Sequence, residues 1–122
     1  MARILLAEDI EPARAAMTLV LESAGHDVVC CADGEQAIQL STAEHFDLAV
    51  VDIWMPRRSG LDVLKALRSR DDKIPVILAS GGGPGASLEQ ATALADLYGA
   101  AAVLYKPVED EELLAAVRNA LA

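Results

Sequence analysis

The sequence predicts an α/β fold, a doubly wound sandwich in which five strands alternate with five helices. Short apolar runs recur along the 122 residues, and between them apolar residues repeat at helical spacing. Strands that are apolar throughout are typical of a parallel sheet covered on both faces, with right-handed crossovers. The length suits one compact domain, so we expect a single domain over residues 1–122 and no output domain.

The first half of the chain predicts three strand–helix units. The strands are expected at residues 4–7, 28–31 and 48–52. Pro12 is typical of a first helical turn, and Gly25 is a typical helix stop, so the first helix is expected between them. Asp33 and Gly34 predict a turn before a second helix, and Ser59 and Gly60 mark the boundary before a third.

The second half predicts two further units. Pro75 precedes a strand at residues 76–79 that ends at Ser80, and a last strand is expected at residues 102–105. A glycine-rich break follows Ser80, and a fourth helix is expected from residue 88 to residue 98. Asp110 is predicted to cap the last helix.

Charge and composition exclude several function classes. The net charge of −9 argues against binding of a nucleic acid backbone and against an anionic membrane surface. No apolar run reaches membrane-spanning length, and the short start before the first strand does not resemble a signal peptide. Cys30 and Cys31 are adjacent, which is poor geometry for a disulfide, so both are expected to be small buried side chains in a reducing compartment. We therefore expect a cytoplasmic protein.

Polar residues follow four of the predicted strands. Glu8 and Asp9 follow the first, Asp52 ends the third, Ser80 ends the fourth and Lys106 follows the fifth. Each residue taken alone is typical of caps and turns. Because the carboxyl ends of parallel strands share one edge of a sheet, where ligands bind in this class of fold, we expect all five to converge there.

The expected cluster has the parts of a phosphoryl-transfer site. Three neighbouring carboxylates repel one another, and Mg²⁺ is the cation that suits a few oxygen ligands together with water and phosphate. Lys106 can pair with Asp52 or with a transferred phosphoryl group, and Ser80 offers a hydroxyl donor. A carboxylate nucleophile, a metal, a cation and a hydroxyl are what such chemistry needs.

The whole chain resembles the bacterial response-regulator receiver domain, the CheY-like family. The resemblance rests on Glu8 and Asp9 after the first strand, on the VDIWMP box around Asp52, on the PVILAS run that ends at Ser80, and on Lys106 followed by proline. It implies the flavodoxin-like or CheY-like sheet order 2-1-3-4-5. It also implies a single-domain response regulator that is a phosphoacceptor and not an enzyme, with at most self-phosphorylation from small donors and self-dephosphorylation.

The resemblance also implies roles for individual residues. Asp52 would accept a phosphoryl group from a histidine kinase, a histidine phosphotransfer protein or a small phosphodonor. Asp9 and Asp52 would ligate Mg²⁺, Glu8 would act through a metal-bound water, and Trp54 would act through its backbone carbonyl. Ser80 and Lys106 would bind the phosphoryl oxygens, with a cis peptide before the proline that follows Lys106. The partners would be the kinase and a downstream protein target, with the chain a monomer or a weak phosphorylation-dependent dimer.

Three positions depart from the family pattern. Val103 stands where an aromatic switch residue is usual, and Tyr105 lies beside the lysine instead, so the usual coupling cannot operate unchanged. Gly81 stands where alanine is common, and we hypothesise that the stretch 81–87 becomes ordered on phosphorylation, which amide exchange would test. Val108 stands where phenylalanine is common, which is interpreted as a core substitution.

Three other functions are alternatives to this one. A receiver that is never phosphorylated and serves as a constitutive interaction module is the main alternative, because of Val103. A haloacid-dehalogenase-type phosphatase needs a second acid two residues after the nucleophile, where this chain has Trp54. A flavodoxin-like flavin module needs a phosphate-binding loop after the first strand, where this chain has Glu8 and Asp9.

Overall fold

The computed structural model describes residues 1–81 and 88–122 of the chain. Five strands and five helices alternate within it. The strands are β1 (Arg3–Ala7), β2 (Asp27–Cys31), β3 (Leu48–Asp52), β4 (Val76–Ser80) and β5 (Ala102–Tyr105). The helices are α1 (Glu11–Ser23), α2 (Gly34–Ala43), α3 (Gly60–Ser69), α4 (Leu88–Leu97) and α5 (Asp110–Leu121). The predicted α/β class is confirmed.

The five strands form one parallel sheet in the order β2-β1-β3-β4-β5, as the resemblance implied. β1 and β3 pair in the middle of the sheet, with Ala7 opposite Val51, so the residues that follow these strands emerge side by side. β3 and β4 place Asp52 opposite Ala79, and β4 and β5 place Ser80 opposite Tyr105. The register thus brings the ends of four strands to one edge.

Each face of the sheet has its own hydrophobic core. Alternate residues of a strand point to opposite faces, so Leu5 and Ala7 enter one core while Ile4 and Leu6 enter the other. The first core also contains Val63, Leu64 and Leu67 of α3, and the second contains Leu21 of α1 with Leu113 and Val117 of α5. Val108 packs against the second core, as expected for a core substitution.

Burial is less uniform than the apolar runs predicted. β3 and β4 are buried at every position, whereas the edge strands β2 and β5 are only partly covered because each has a single neighbour in the sheet. The prediction that both cysteines are buried was wrong for Cys30, which is exposed on β2 with its sulfur 3.0 Å from the Thr18 hydroxyl. Cys31, on the opposite face of the same strand, is buried.

Helix starts follow local capping chemistry. Pro12 lies in the first turn of α1, and Ser59 and Asp62 form a reciprocal capping box at α3. The turn predicted at Asp33 is in fact the N-cap of α2, where its carboxylate accepts from the Gln36 N–H at 2.8 Å. The capping role predicted for Asp110 was wrong by one position: Glu109, whose backbone is extended, is the N-cap of α5, and its N–H donates to the Glu112 carboxylate at 3.2 Å. Among the described residues, no helix is long and apolar enough to cross a bilayer.

Candidate functional site

The carboxyl edge of the sheet collects four of the predicted site residues. Glu8, Asp52 and Ser80 are almost fully buried, with exposed fractions of 1%, 5% and 2%. Lys106 is tied to β4 through its backbone, since its N–H donates to the Ser80 carbonyl at 2.8 Å. Strand pairing therefore sets the relative positions of residues that lie up to 98 positions apart in the sequence.

Three carboxylates converge at this edge. One oxygen each from Glu8, Asp9 and Asp52 lies within 4.8 Å of the other two. Asp9 Oδ1 is buried and has no hydrogen-bond partner among the described residues. A buried carboxylate oxygen without a donor is costly, so the cluster is incomplete in the protein alone.

Lys106 faces two of the three carboxylates. Its Nζ lies 2.5 Å from Glu8 Oε1 and 3.2 Å from Asp52 Oδ2. The sequence predicted the pair with Asp52, but not the shorter one with Glu8. One lysine thus compensates two buried acids, and this leaves the cluster with an excess of negative charge.

The pKa values reflect that imbalance. Burial, followed by the hydrogen bond and the negative charge of Glu8, raises the pKa of Asp52 to about 7. Burial acts on Glu8 in the same direction, but hydrogen bonds from Lys106 and with Asp52 outweigh it and hold the pKa of Glu8 below its ordinary value. Burial disfavours the charged form of Lys106, yet the two carboxylates raise its pKa overall. The surroundings therefore favour the charged form of Glu8 and disfavour the charged form of Asp52.

The cluster fits a divalent cation that prefers oxygen. Glu8, Asp9 and Asp52 offer only carboxylate oxygens, and the unpartnered Asp9 Oδ1 is in need of a positive neighbour. Few protein ligands, all of them oxygen, suit Mg²⁺, which keeps several waters. Among the described residues this is the one group of three acidic, histidine or cysteine side chains close enough to hold a metal.

The loop after β3 is tied closely to Asp52. The Trp54 N–H donates to Asp52 Oδ1 at 3.3 Å, and the Gly60 N–H donates to the Ile53 carbonyl at 2.9 Å. A Cβ on Gly60 would lie 2.4 Å from the Asp52 carbonyl oxygen, so only glycine allows α3 to begin this close to the strand end. The side chain of Trp54 is partly buried against the first core.

The side of the site next to β5 contains the positions that depart from the family pattern. The peptide bond between Lys106 and Pro107 is cis, as the resemblance implied. Val103 packs against the first core, while the ring of Tyr105 is 47% exposed and its hydroxyl lies 3.0 Å from that of Thr92 on α4. The hypothesis about ordering of the stretch 81–87 lies, apart from Gly81, outside the described residues.

The comparison with known families agrees with the geometry. The family described as "Response regulator receiver domain" matches residues 4–118. The chain belongs to this family. Its members act in two-component signalling as phosphoacceptors, and not as enzymes in the usual sense.

Two curated relatives show the breadth of the family. The transcriptional regulatory protein CpxR of Escherichia coli K12 is 36% identical over 121 residues, which are 99% of this chain and 50% of CpxR. The sensory/regulatory protein RpfC of Xanthomonas campestris is 35% identical over 116 residues, which are 92% of this chain and 15% of RpfC. This chain therefore spans half the length of the first relative and a smaller part of the second.

Solved structures match over the whole chain. The CheY-like receiver domain from Methanospirillum hungatei superposes with a TM-score of 0.88 and 30% identity, covering 99% of this chain and 94% of that one. Vibrio cholerae chemotaxis protein CheY4 superposes with a TM-score of 0.87 and 28% identity, covering 99% of both chains. The CheY-like fold is therefore shared along its full length.

Proposed function

We propose that Asp52 accepts a phosphoryl group in a Mg²⁺-dependent reaction, with the phosphohistidine of a histidine kinase or of a histidine phosphotransfer protein as the donor. The observation that carries the proposal is the buried Asp52 carboxylate 3.2 Å from Lys106 and beside two further acids. A carboxylate with this setting combines a nucleophile with a cation already in place for the incoming phosphoryl oxygens.

Asp52 is the best nucleophile of the three acids. Glu8 is held by the shorter ion pair with Lys106, at 2.5 Å, and is the more buried of the two. Asp9 retains a buried oxygen that suits a metal ligand. Asp52 ends the central strand, where its Oδ1 accepts a long 3.3 Å bond from the Trp54 N–H and its Oδ2 lies 3.2 Å from Lys106 Nζ.

The transfer requires an ionised Asp52. An Asp52 oxygen forms the new bond to phosphorus while the bond from phosphorus to the histidine nitrogen breaks, and the electron pair of that bond leaves with the imidazole. In this proposal Lys106 would move from Asp52 to a phosphoryl oxygen while the negative charge of Glu8 keeps it protonated, and the buried Ser80 would donate its hydroxyl to another phosphoryl oxygen. Mg²⁺, when bound, supplies positive charge to the carboxylates and to the phosphoryl oxygens.

Asp9 and Asp52 would ligate this metal directly, Glu8 through a water, and Trp54 through its backbone carbonyl. The clustering of the three acids and the orphaned Asp9 oxygen support the assignment. The net charge of −9 supports a protein, rather than a nucleic acid, as the downstream contact of these 122 residues.

The test is the intact mass of the protein after incubation with Mg²⁺ and acetyl phosphate, with acid quenching at short times so that self-dephosphorylation does not hide the product. One phosphoryl adduct on the wild type is expected, and none without Mg²⁺ or in Asp52→Asn. Asp110→Asn, an exposed acid on α5, is the matched control and should be phosphorylated normally. A folded wild type that forms no adduct at any quench time would contradict the proposal and favour the constitutive interaction module.

A further inference from the structure

The segment between β3 and α3, residues 53–59, contains a strained turn. Arg57 has a φ of 69°, and the Arg58 N–H donates to the Pro56 carbonyl at 2.8 Å across it. A non-glycine residue in this conformation persists only when the surrounding structure holds it there. The neighbours of the turn must therefore supply that restraint.

The N-terminus of α2 is the neighbour that does so. Gly34, the first residue of α2, is buried against the Arg58 backbone: a Cβ at Gly34 would lie 2.0 Å from the Arg58 carbonyl oxygen and 2.5 Å from its Cβ. Real Cβ atoms do not approach other atoms this closely, so the packing needs glycine. Glycine stands at this position although alanine is the better helix former.

Ion pairs on either side of Gly34 reinforce the contact. Arg57 Nε lies 3.8 Å from Asp33 Oδ2, and Arg58 Nε lies 3.3 Å from Glu35 Oε2. Asp33 is itself buried and fixed as the N-cap of α2. The N-cap of α2 and the first two residues of the helix thus hold Arg57 and Arg58 of the segment in place.

At its other end the same segment is fixed to the acidic cluster. Its Trp54 N–H donates to Asp52 Oδ1, and Gly60, the first residue after the segment, donates its N–H to the Ile53 carbonyl and closes the loop. The segment is short and held at both ends, so a displacement at Arg58 has few residues over which to relax before it reaches Trp54 and Asp52.

We infer that Gly34 is a positioning residue for the metal site: its lack of a side chain allows Arg58 to pack on α2 and so sets the place of the Trp54 backbone beside the acids. This rests on the proposed function, in which the Trp54 carbonyl is a metal ligand. Residues that orient metal ligands from outside the first layer of contacts affect metal affinity more than their distance suggests. The three atoms nearest to a Cβ at Gly34 all belong to Arg58, so the effect on the acids would pass through the segment.

The test is calorimetric titration of the full chain with Mg²⁺ alone, with thermal unfolding measured on the same samples. Gly34→Ala is expected to weaken Mg²⁺ binding about tenfold. Arg58→Gly disturbs the same contact from the other side, leaves α2 unchanged, and is expected to weaken binding by a smaller factor. Gly25→Ala is the matched control, because Gly25 has a φ of +92° at the end of α1, so alanine lowers the melting temperature there without reaching the segment.

The outcomes separate the inference from the proposed function. Weaker binding in the folded Gly34→Ala protein, with unchanged affinity in Gly25→Ala, supports the positioning role, because a general loss of stability would affect both. Wild-type affinity in folded Gly34→Ala overturns it. If Gly34→Ala does not unfold cooperatively, Arg58→Gly decides in the same way. A wild type that binds no Mg²⁺ overturns the metal-dependent function, and the inference with it.

Discussion

Two acidic regions of this molecule have similar composition and different physics. The first is the cluster of Glu8, Asp9 and Asp52 at the carboxyl edge of the sheet, and the second is the first turn of α5, with Asp110, Glu111 and Glu112. In the cluster the acids come from two strand ends, and Glu8 and Asp52 are buried around Lys106. On α5 they are consecutive, exposed, and stabilised by the helix N-terminus.

The difference in burial between these two regions shows that several neighbouring carboxylates do not by themselves form a metal or phosphoryl-transfer site. The α5 acids are in water, where each is solvated and the helix dipole favours its charge. Glu8 and Asp52 have lost most of that solvation, so the pKa of Asp52 rises to about 7 although Lys106 favours its charged form. Because the carboxylates of the cluster converge and are buried, their negative charge is stabilised by a nearby cation, and this arrangement suits metal binding and phosphoryl transfer.

The largest expected effect on the free energy of unfolding comes from replacing Lys106. Lys106→Met leaves Glu8 and Asp52 buried without their cation, and breaking a buried ion pair in this way typically costs about 3–5 kcal/mol. The loss should be larger at pH 8 than at pH 5, because at pH 5 Asp52 is protonated and Glu8 is the acid left without its cation. Urea unfolding of the metal-free protein at the two pH values measures it.

The control for this variant is Lys65→Met. Lys65 is an exposed lysine whose ammonium lies 5.5 Å from the centre of the Tyr98 ring, and such a contact is worth about 0.5–1 kcal/mol. Equal losses in the two variants, or a Lys106→Met loss that is independent of pH, would show that burial of the acids is not the cause.

A smaller effect, of opposite sign, is expected from Asp52→Asn. The folded-state pKa of Asp52 lies above its unfolded value, so the wild type loses stability as the pH rises from about 4 through about 7. Since one pH unit corresponds to about 1.4 kcal/mol, removing the charge should stabilise the metal-free protein by about 2–4 kcal/mol at pH 8, and by almost nothing near pH 4.

The measurement is the unfolding free energy of both proteins between pH 4 and pH 8. Added Mg²⁺ should raise the stability of the wild type by mass action, and raise that of Asp52→Asn much less. A variant that is no more stable than the wild type at pH 8 would mean that Lys106 fully compensates Asp52.

The smallest effect belongs to α5. Asp110→Asn removes one exposed charge near a helix N-terminus, which is worth about 0.3–1 kcal/mol at low ionic strength. Added salt should screen most of the difference, whereas it should screen little of the Asp52→Asn effect, because Asp52 is buried. Thermal melts at low and high NaCl compare the two, and a salt-independent Asp110→Asn effect would contradict the comparison.

Much of the fold and of the candidate site could be predicted because strands and helices follow from local patterns of apolar and polar residues. The runs at β1, β3 and β4 are apolar at nearly every position, so their strands and the polar residues that follow them could be read directly. The rule that parallel strands end at one edge then brought Glu8, Asp52, Ser80 and Lys106 together.

The remainder depends on distances between elements, which no local pattern contains. The Glu8–Lys106 pair joins residues 98 positions apart, and its short distance follows from side-chain packing. Gly34 looked like a turn residue, and its contact with Arg58 becomes visible only when α2 and the segment after β3 are packed. Cys30 was expected to be a small buried side chain because a bridge to Cys31 is geometrically poor, yet it is exposed on an edge strand.

The central position of β3 has a consequence for the rate at which its amide protons exchange with solvent. β3 is hydrogen-bonded to a strand on each side and is buried along its whole length, so its amide protons should exchange only when the entire domain opens. The half-covered strands β2 and β5 should open far more often. Asp52 therefore ends the strand whose backbone we expect to open least often among the five described strands.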